Sequence, residues 1–235
     1  MKKFSVVLIT VVLAMFLVVG SVWALPFNTR PVTGNLDSLQ AALDGFYPLA
    51  GFDVNNQDPA ALFQPSVAGP TSSSFLLILE NAGFADDNTF GIYSASDPNK
   101  MLEIFSGPDS PSDTAAVSFF SGSVKLGNDD STKIEGFGTS FGFYLTTPEQ
   151  NIFYSEDDKN DNLAQMLIYD FPGVSNEYIV ACEDLVASGP DRDFNDLVVK
   201  ASEVKPVPEP ATMFLLGTGL IGLAGLGRKK FFKKG

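Results

Sequence analysis

The chain has 235 residues, with 28 Asp and Glu, 15 Lys and Arg, one Cys and no His. Between its two apolar ends only eight basic residues remain against all 28 acidic ones, which gives a formal charge of −20. A body this acidic repels nucleic acid. The lack of His and the single Cys exclude Ser-His-Asp and Cys-His catalysis, zinc sites built from His or Cys clusters, and an intramolecular disulfide.

The N-terminus has the three parts of a secretory signal peptide. Lys2 and Lys3 form a basic start, residues 4–20 are apolar, and small residues precede a cut that we place after Ala24. Signal peptidase is therefore the first expected partner, and residues 1–24 are expected to be removed. An uncleaved membrane anchor is the alternative.

A short helix is predicted next, in a lead-in that covers residues 25–73. Asn35 is the expected N-cap, Leu36, Leu39 and Leu43 share one face, and Gly45 is expected to end the helix.

Strand patterns dominate the rest of the body, residues 74–203. Short apolar runs alternate with turn-forming residues, which is typical of antiparallel β proteins. The predicted strands cover residues 74–80, 89–95, 101–105, 115–120, 137–146, 151–154, 163–171, 177–186 and 194–201. This pattern predicts a mainly β domain, an antiparallel sandwich that is jelly-roll-like.

The last two predicted strands flank a strongly acidic loop. If they pair as a hairpin centred near Pro190, Asp184 lies opposite Asp196, and facing carboxylates destabilise a ladder unless a cation neutralises them. The candidate ligands for Ca²⁺ are the hard oxygen donors of this loop: Glu183, Asp184, Asp191, Asp193, Asn195 and Asp196.

The residues from Asp191 onward match only the first half of an EF-hand loop, so the EF-hand motif is rejected. Two alternatives to a calcium ion remain open for this loop. The acidic side chains can instead cap backbone groups in an Asx-rich turn. Arg192 can also supply the neutralising charge.

The C-terminal sequence predicts an extended stalk followed by a membrane-spanning helix. Residues 204–210 are rich in proline, which keeps a chain extended, and residues 211–227 are apolar or small. Seventeen helical residues reach about 25 Å, just enough for the hydrocarbon core of the inner membrane. The basic tail, residues 228–235, is expected to remain in the cytoplasm.

These C-terminal features together resemble the PEP-CTERM sorting signal. The resemblance is carried by Val207, Pro208, Glu209 and Pro210, then the apolar helix and the basic cluster. It implies recognition by an exosortase, a membrane-embedded sorting protease, in a Gram-negative bacterium that makes exopolysaccharide. The protein would then be anchored transiently in the inner membrane before delivery to the cell surface or extracellular matrix.

The body also resembles the domain of unknown function 4114. The resemblance covers roughly residues 74–201 and is carried by short segments at residues 80–93, 141–144, 183–185 and 191–199. Family members often have a His near residues 164–166, and this chain has none. The resemblance implies a β-rich extracellular domain with no established activity.

Two functions of different class follow from these patterns. The first is a non-enzymatic surface or biofilm-matrix protein that binds calcium, with exopolysaccharide as a candidate partner that could stack on Tyr144, Phe153 or Tyr154. The second is a carbohydrate-active hydrolase that uses paired carboxylates. We expect the first, because no spacing singles out a catalytic pair.

Overall fold

The computed structural model describes residues 35–81, 87–185 and 192–208, together with Thr218. The predicted signal peptide, its cleavage site at Ala24 and the basic tail lie outside the described residues. So does the predicted membrane helix, Thr218 apart. Across the three described stretches, no helix has the length and hydrophobicity needed to span a membrane.

The described residues form one α-helix, α1 (Asp37–Phe46), and a set of short strands. In chain order the strands are β1 (Phe63–Pro65), β2 (Thr71–Glu80), β3 (Thr89–Ser94), β4 (Asp97–Ser106), β5 (Thr114–Phe120), β6 (Ser123–Leu126), β7 (Phe141–Thr146), β8 (Ile152–Tyr154), β9 (Met166–Asp170), β10 (Glu177–Cys182), β11 (Leu197–Ser202) and β12 (Val204–Pro206).

The strands make two antiparallel sheets, which confirms the mainly β fold class. Sheet 1 has the order β12-β1-β7-β3-β4, with β8 beside β7, and sheet 2 has the order β6-β5-β2-β11-β10-β9. Within the described residues neither sheet closes on itself. The two sheets pack face to face as a sandwich, and a core of buried side chains from both fills the space between them.

The core shows the period of two that strands require. In β7, Phe141, Phe143 and Leu145 point into the sandwich, and each is fully buried. The ring of Phe143 packs against four other Phe rings, including Phe90 of β3 at 5.8 Å and Phe75 of sheet 2 at 6.5 Å between centroids. Aromatic contacts therefore join the two sheets at the centre of the domain.

Helix α1 belongs to a second apolar layer, on the outer face of sheet 2. Leu39 and Leu43 are fully buried there among side chains from β2, β9, β10 and β11. The N-cap is Leu36 rather than the predicted Asn35, although the Asn35 side-chain oxygen accepts the Asp37 N–H at 3.0 Å just before the helix. Gly45 does not end the helix, which continues to Phe46.

Three short strands were absent from the prediction: β1, β6 and β12. Each has three or four residues, too few for a pattern of period two to be recognised. The most consequential is β12, since Val204–Pro206 had been assigned to the proline-rich stalk. Proline has no backbone N–H to donate to a ladder. It can end an edge strand, because no ladder hydrogen bond is needed on the outer side of such a strand.

Cys182 is fully buried at the end of β10, as its apolar neighbours predicted. Burial raises the pKa of its thiol, and the nearby carboxylates of Asp196, Asp184 and Glu183 raise it further. The thiolate is therefore disfavoured, which is typical of a structural rather than a reactive cysteine.

Candidate metal centre

The acidic segment lies where β10 ends and β11 begins, at one end of sheet 2. The last ladder pair between these strands is Cys182 with Leu197. Glu183 and Asp184 follow that pair on one side, and Asp196 precedes it on the other. The two strands that were predicted to flank this loop therefore do pair with each other. Their register differs by one residue, because continuing the ladder sets Glu183 rather than Asp184 opposite Asp196.

Three carboxylates converge at this point. Glu183, Asp184 and Asp196 each place one oxygen so that all three oxygens lie within 4.8 Å of one another. Glu183 is 1% exposed and Asp184 is 4% exposed. The backbone N–H of Asp184 also donates to Oδ2 of Asp196 at 2.9 Å. The structure therefore gathers three of the six predicted ligands into one group, in which Glu183 and Asp184 are buried and Asp196 is partly buried.

The electrostatics of the group are unfavourable without a cation. Burial, with added repulsion from Glu183 and Asp184, raises the pKa of Asp196 to about 8. The hydrogen bond from the Asp184 N–H opposes this shift but does not cancel it. At neutral pH the group therefore holds a proton on Asp196 or needs a positive partner.

Asn88 adds a fourth side chain that was not predicted as part of this group. It lies just before β3, is 1% exposed, and donates from Nδ2 to Oδ2 of Asp184 at 3.0 Å. Its amide oxygen is buried and makes no hydrogen bond among the described residues. The sequence shows Asp86, Asp87 and Asn88 as a separate polar cluster, and only the fold reveals that Asn88 joins the carboxylates.

Asp193 and Asn195 serve a different purpose. Oδ2 of Asp193 accepts from the Asn195 amide at 2.6 Å and from the Ser38 hydroxyl of α1 at 2.8 Å. This is the capped turn that was weighed against calcium, and it ties the loop to the helix. Phe194, fully buried in the outer apolar layer, anchors the same turn. Asp191 lies outside the described residues.

Arg192 is held beside this loop rather than in solvent. Its guanidinium donates to the Ala164 carbonyl at 2.6 Å and to the Gln165 side chain at 3.3 Å. It also lies over the Phe194 ring, 5.3 Å from the centroid. Arg192 therefore links the loop to the segment that precedes β9.

The donor set suits a hard cation. Carboxylate oxygens are ligands that Ca²⁺ prefers, and the ion takes six to eight oxygen ligands, so backbone carbonyls, side-chain amides and water would supply the rest beside these three carboxylates. The amide oxygen of Asn88 is itself buried and makes no hydrogen bond among the described residues, whereas buried polar atoms are normally hydrogen-bonded.

The aromatic side chains that were predicted to stack on sugars are largely inside the protein. Tyr144 is 4% exposed and Phe153 is 8% exposed, while Tyr154 is half-buried and packs on Tyr93 at 5.0 Å. The prediction of exposed sugar-stacking rings is wrong for Tyr144 and Phe153. Tyr144 belongs to the outer face of sheet 1 but lies across the backbone of Gly91, which removes it from solvent.

An open groove of about 760 Å³ between β4 and β5 also carries carboxylates. Three of them hold turns. Asp109 accepts the Ser106 N–H at 2.8 Å. Asp113 accepts the Ser110 N–H at 2.7 Å, and Asp129 caps a short 3-10 helix. These hydrogen bonds give Asp109, Asp113 and Asp129 a structural role in their turns.

Comparison with known proteins finds a family match at the C-terminal end of the chain. Residues 206–229 match the family described as the PEP-CTERM protein-sorting motif. No curated protein is significantly similar to the chain. Among solved structures, the Chromobacterium violaceum lectin CV2L in complex with alpha-methyl-fucoside matches with 12% identity, a TM-score of 0.32, and coverage of 63% of this chain and 98% of the lectin. A similarity this low carries no functional argument.

Proposed function

We propose that this chain is an exported, exosortase-sorted protein of the cell surface or extracellular matrix, and that its acidic, jelly-roll-like β-sandwich binds calcium and is not an enzyme. The observation that carries the sorting part is the match to the PEP-CTERM motif at residues 206–229, which begins at the last residue of β12. The motif suggests export, a membrane-anchored step and processing by exosortase.

The proposed route has four steps. Signal peptidase cuts after Ala24, and the C-terminal apolar helix then holds the precursor in the inner membrane. Exosortase recognises Val207, Pro208, Glu209 and Pro210, of which Glu209 and Pro210 lie outside the described residues. The domain is released to the surface or biofilm matrix of a Gram-negative bacterium, where exopolysaccharide is the proposed partner. The body's net negative charge makes nucleic acid an improbable ligand.

Sorting is tested by following the precursor in its own bacterium. Replacing Pro208, Glu209 and Pro210 together by alanine should trap the precursor in the membrane fraction, because the recognition segment is lost. The matched control replaces Ser110, Pro111 and Ser112, a surface turn of the body, by alanine. Normal delivery of the motif variant to the surface would refute the assignment to exosortase.

Calcium binding is supported by the group formed by Glu183, Asp184, Asp196 and Asn88. The near-complete burial of Glu183 and Asp184 also opposes catalysis, because a polysaccharide cannot reach them. A cation that binds only the folded state stabilises it by mass action, by about 2.7 kcal/mol at a hundredfold excess over the dissociation constant. Extracellular modules bind calcium with dissociation constants of about 0.1–1 mM, so millimolar metal is needed.

The test compares melting temperatures of the secreted form in calcium, in chelator, and in sodium at equal ionic strength. We expect calcium to raise the melting temperature and Asp184→Asn or Asp196→Asn to remove the rise. Asp158→Asn, an exposed residue of the acidic loop after β8, is the control and should keep it. If the wild-type protein melts identically in calcium and in chelator, the calcium proposal fails while the sorting proposal stands.

A further inference from the structure

The sorting motif begins while the chain is still part of the folded domain. Val204, Lys205 and Pro206 of β12 pair with Pro65, Gln64 and Phe63 of β1. Beyond the strand, the Val207 N–H donates to the Leu62 carbonyl at 2.9 Å. The match to the sorting family starts at residue 206. This hydrogen bond, the last along the chain among the described residues, therefore falls inside the segment that matches the sorting family.

Side chains also hold β12 in place. Val204 is fully buried in the core between the sheets, and its N–H donates to the Asn176 carbonyl at 3.2 Å. Nζ of Lys205 donates to the Ser66 carbonyl at 2.9 Å. Just before the strand, Glu203 accepts a hydrogen bond from the Ser66 hydroxyl at 2.6 Å. The strand is docked by core packing as well as by its ladder.

Little chain is left between the domain and the predicted membrane helix. From Val207 to residue 211 there are four residue steps, which span at most about 14 Å when fully extended. Cleavage of a peptide bond requires a nucleophile to reach the carbonyl carbon, and the amine of the following residue then leaves with a proton. A protease commonly holds several extended residues on both sides of that bond, and those on the N-terminal side here are paired with β1.

We propose that the folded domain limits its own release: β12 shields the N-terminal side of the sorting motif, and the membrane-embedded protease cuts only after β12 has detached from β1. This inference rests on the exosortase sorting proposed above. Strand β12 is suited to such opening because it is an edge strand of sheet 1 and, among the residues that the structure describes, it pairs with β1 alone. It can detach without breaking another ladder, so the opening is local rather than global.

The rate of cutting should then follow the small fraction of molecules in which β12 is detached. When opening and reclosing are faster than cutting, proteolysis depends on the population of the open form. Weakening the docking of β12 should speed release. A covalent link between β12 and β1 should stop it.

The first arm of the experiment links the two strands. Gln64 and Lys205 face each other in the ladder, and paired residues in an antiparallel ladder have the Cα separation that a disulfide needs. The double variant Gln64→Cys with Lys205→Cys is expressed in the native bacterium, and conversion of precursor to released protein is followed by pulse-chase. We expect the oxidised precursor to persist in the membrane and a reductant to restore release. Each single variant is a control and should be released.

The second arm loosens β12 without any disulfide. Val204→Ala removes buried side-chain atoms from β12, and Val117→Ala makes the same change in β5, where the side chain is equally buried in the same core. We expect Val204→Ala to speed release on the order of tenfold, and Val117→Ala to leave the rate near that of the wild type. This pair separates local detachment of β12 from general loss of stability.

Two results would overturn the inference. One is release of the oxidised double variant, with its disulfide verified, at the wild-type rate. The other is an equal effect, or no effect, of the two Val→Ala variants. Normal release after loss of the Pro208–Pro210 segment would instead overturn the sorting proposal, and this inference with it. The two failures are therefore distinguishable.

Discussion

The side-chain amide of Asn88 donates a hydrogen bond to the carboxylate of Asp184, 96 residues further along the chain, and both side chains are buried. This contact joins the connection between β2 and β3 to the connection between β10 and β11. A second bond supports the junction, because the Asn81 N–H donates to the Asp196 carbonyl at 2.9 Å. A cation bound here would hold both connections at once.

The first prediction concerns Asn88 itself. Asn88→Ala should lower the free energy of unfolding in chelator by about 1–3 kcal/mol, because a buried hydrogen bond to a charged group is lost. Urea denaturation of the secreted form measures this change. Asn81→Ala, an exposed Asn in the same connection, is the matched control and should change stability by less than about 0.5 kcal/mol.

A second prediction follows for the same residue when its charge is changed. Asn88→Asp adds a fourth carboxylate to the group, so the protein in chelator should be less stable than the wild type. The same variant should gain more stability from calcium, because the added charge favours the cation. The measurement is the shift of melting temperature between chelator and millimolar calcium. A calcium shift no larger than that of the wild type would contradict the placement of Asn88 at the site.

The third prediction is a pH dependence in the absence of metal. The pKa of Asp196 is about 8 in the folded state and about 4 in the unfolded chain. Between these values the folded state keeps a proton that the unfolded state has lost, so this group makes stability fall as pH rises from about 4 to about 8. Melting temperatures in chelator across this range should fall less steeply for Asp196→Asn. Equal slopes would show that Asp196 ionises normally.

The sequence was a good guide to elements with a sustained pattern and a poor guide to short ones. Alternating apolar residues in β5 and β7 predicted strands that the fold contains, although the prediction for β7 began four residues too early. Strand β12 could not be recognised, because it ends at Pro206 and is followed by Pro208, and alternate prolines are typical of an extended stalk. Its place is fixed by Val204 in the core and by pairing with β1, whose residues lie 139 to 143 positions earlier in the chain.

The candidate site was predictable only where its parts are close in sequence. Glu183, Asp184 and Asp196 flank one loop, so hairpin pairing alone brings them near each other. Asp193 belongs to the separate Asp193–Asn195 turn because it accepts a hydrogen bond from Ser38 of α1. Asn88 reaches Asp184 because strands that are distant in sequence pair in the fold. Such contacts have no local sequence signal.

The fourth prediction concerns the reactivity of Cys182. The thiol is fully buried and its pKa is raised, so a thiol reagent should label it only as fast as the domain opens. Labelling under native conditions should be slow and should become fast in denaturant. Ser202→Cys, a partly exposed position near the end of β11, is the positive control, and comparable native rates at the two positions would contradict the burial.

The fifth prediction concerns two glycines with opposite expected effects. Gly142 of β7 faces Tyr93 of β3 across the ladder, and a methyl group added there would clash with the hydroxyl oxygen and the ring carbons of Tyr93. Tyr93 cannot easily move, because it is fully buried and its hydroxyl donates to Glu156 at 2.6 Å. Gly142→Ala should therefore lower the free energy of unfolding by about 1–3 kcal/mol.

Gly45→Ala is the matched substitution. Gly45 lies in α1, and an added methyl group would meet no atom within 4 Å, so the change should raise the free energy of unfolding by about 0.5–1 kcal/mol through helix propensity. Urea denaturation of both variants measures the two effects on one scale. A double-mutant cycle of Gly142→Ala with Tyr93→Ala should be less than additive, since removing the ring removes the clash. Additive effects would show that Gly142 is required for a reason other than its contact with Tyr93.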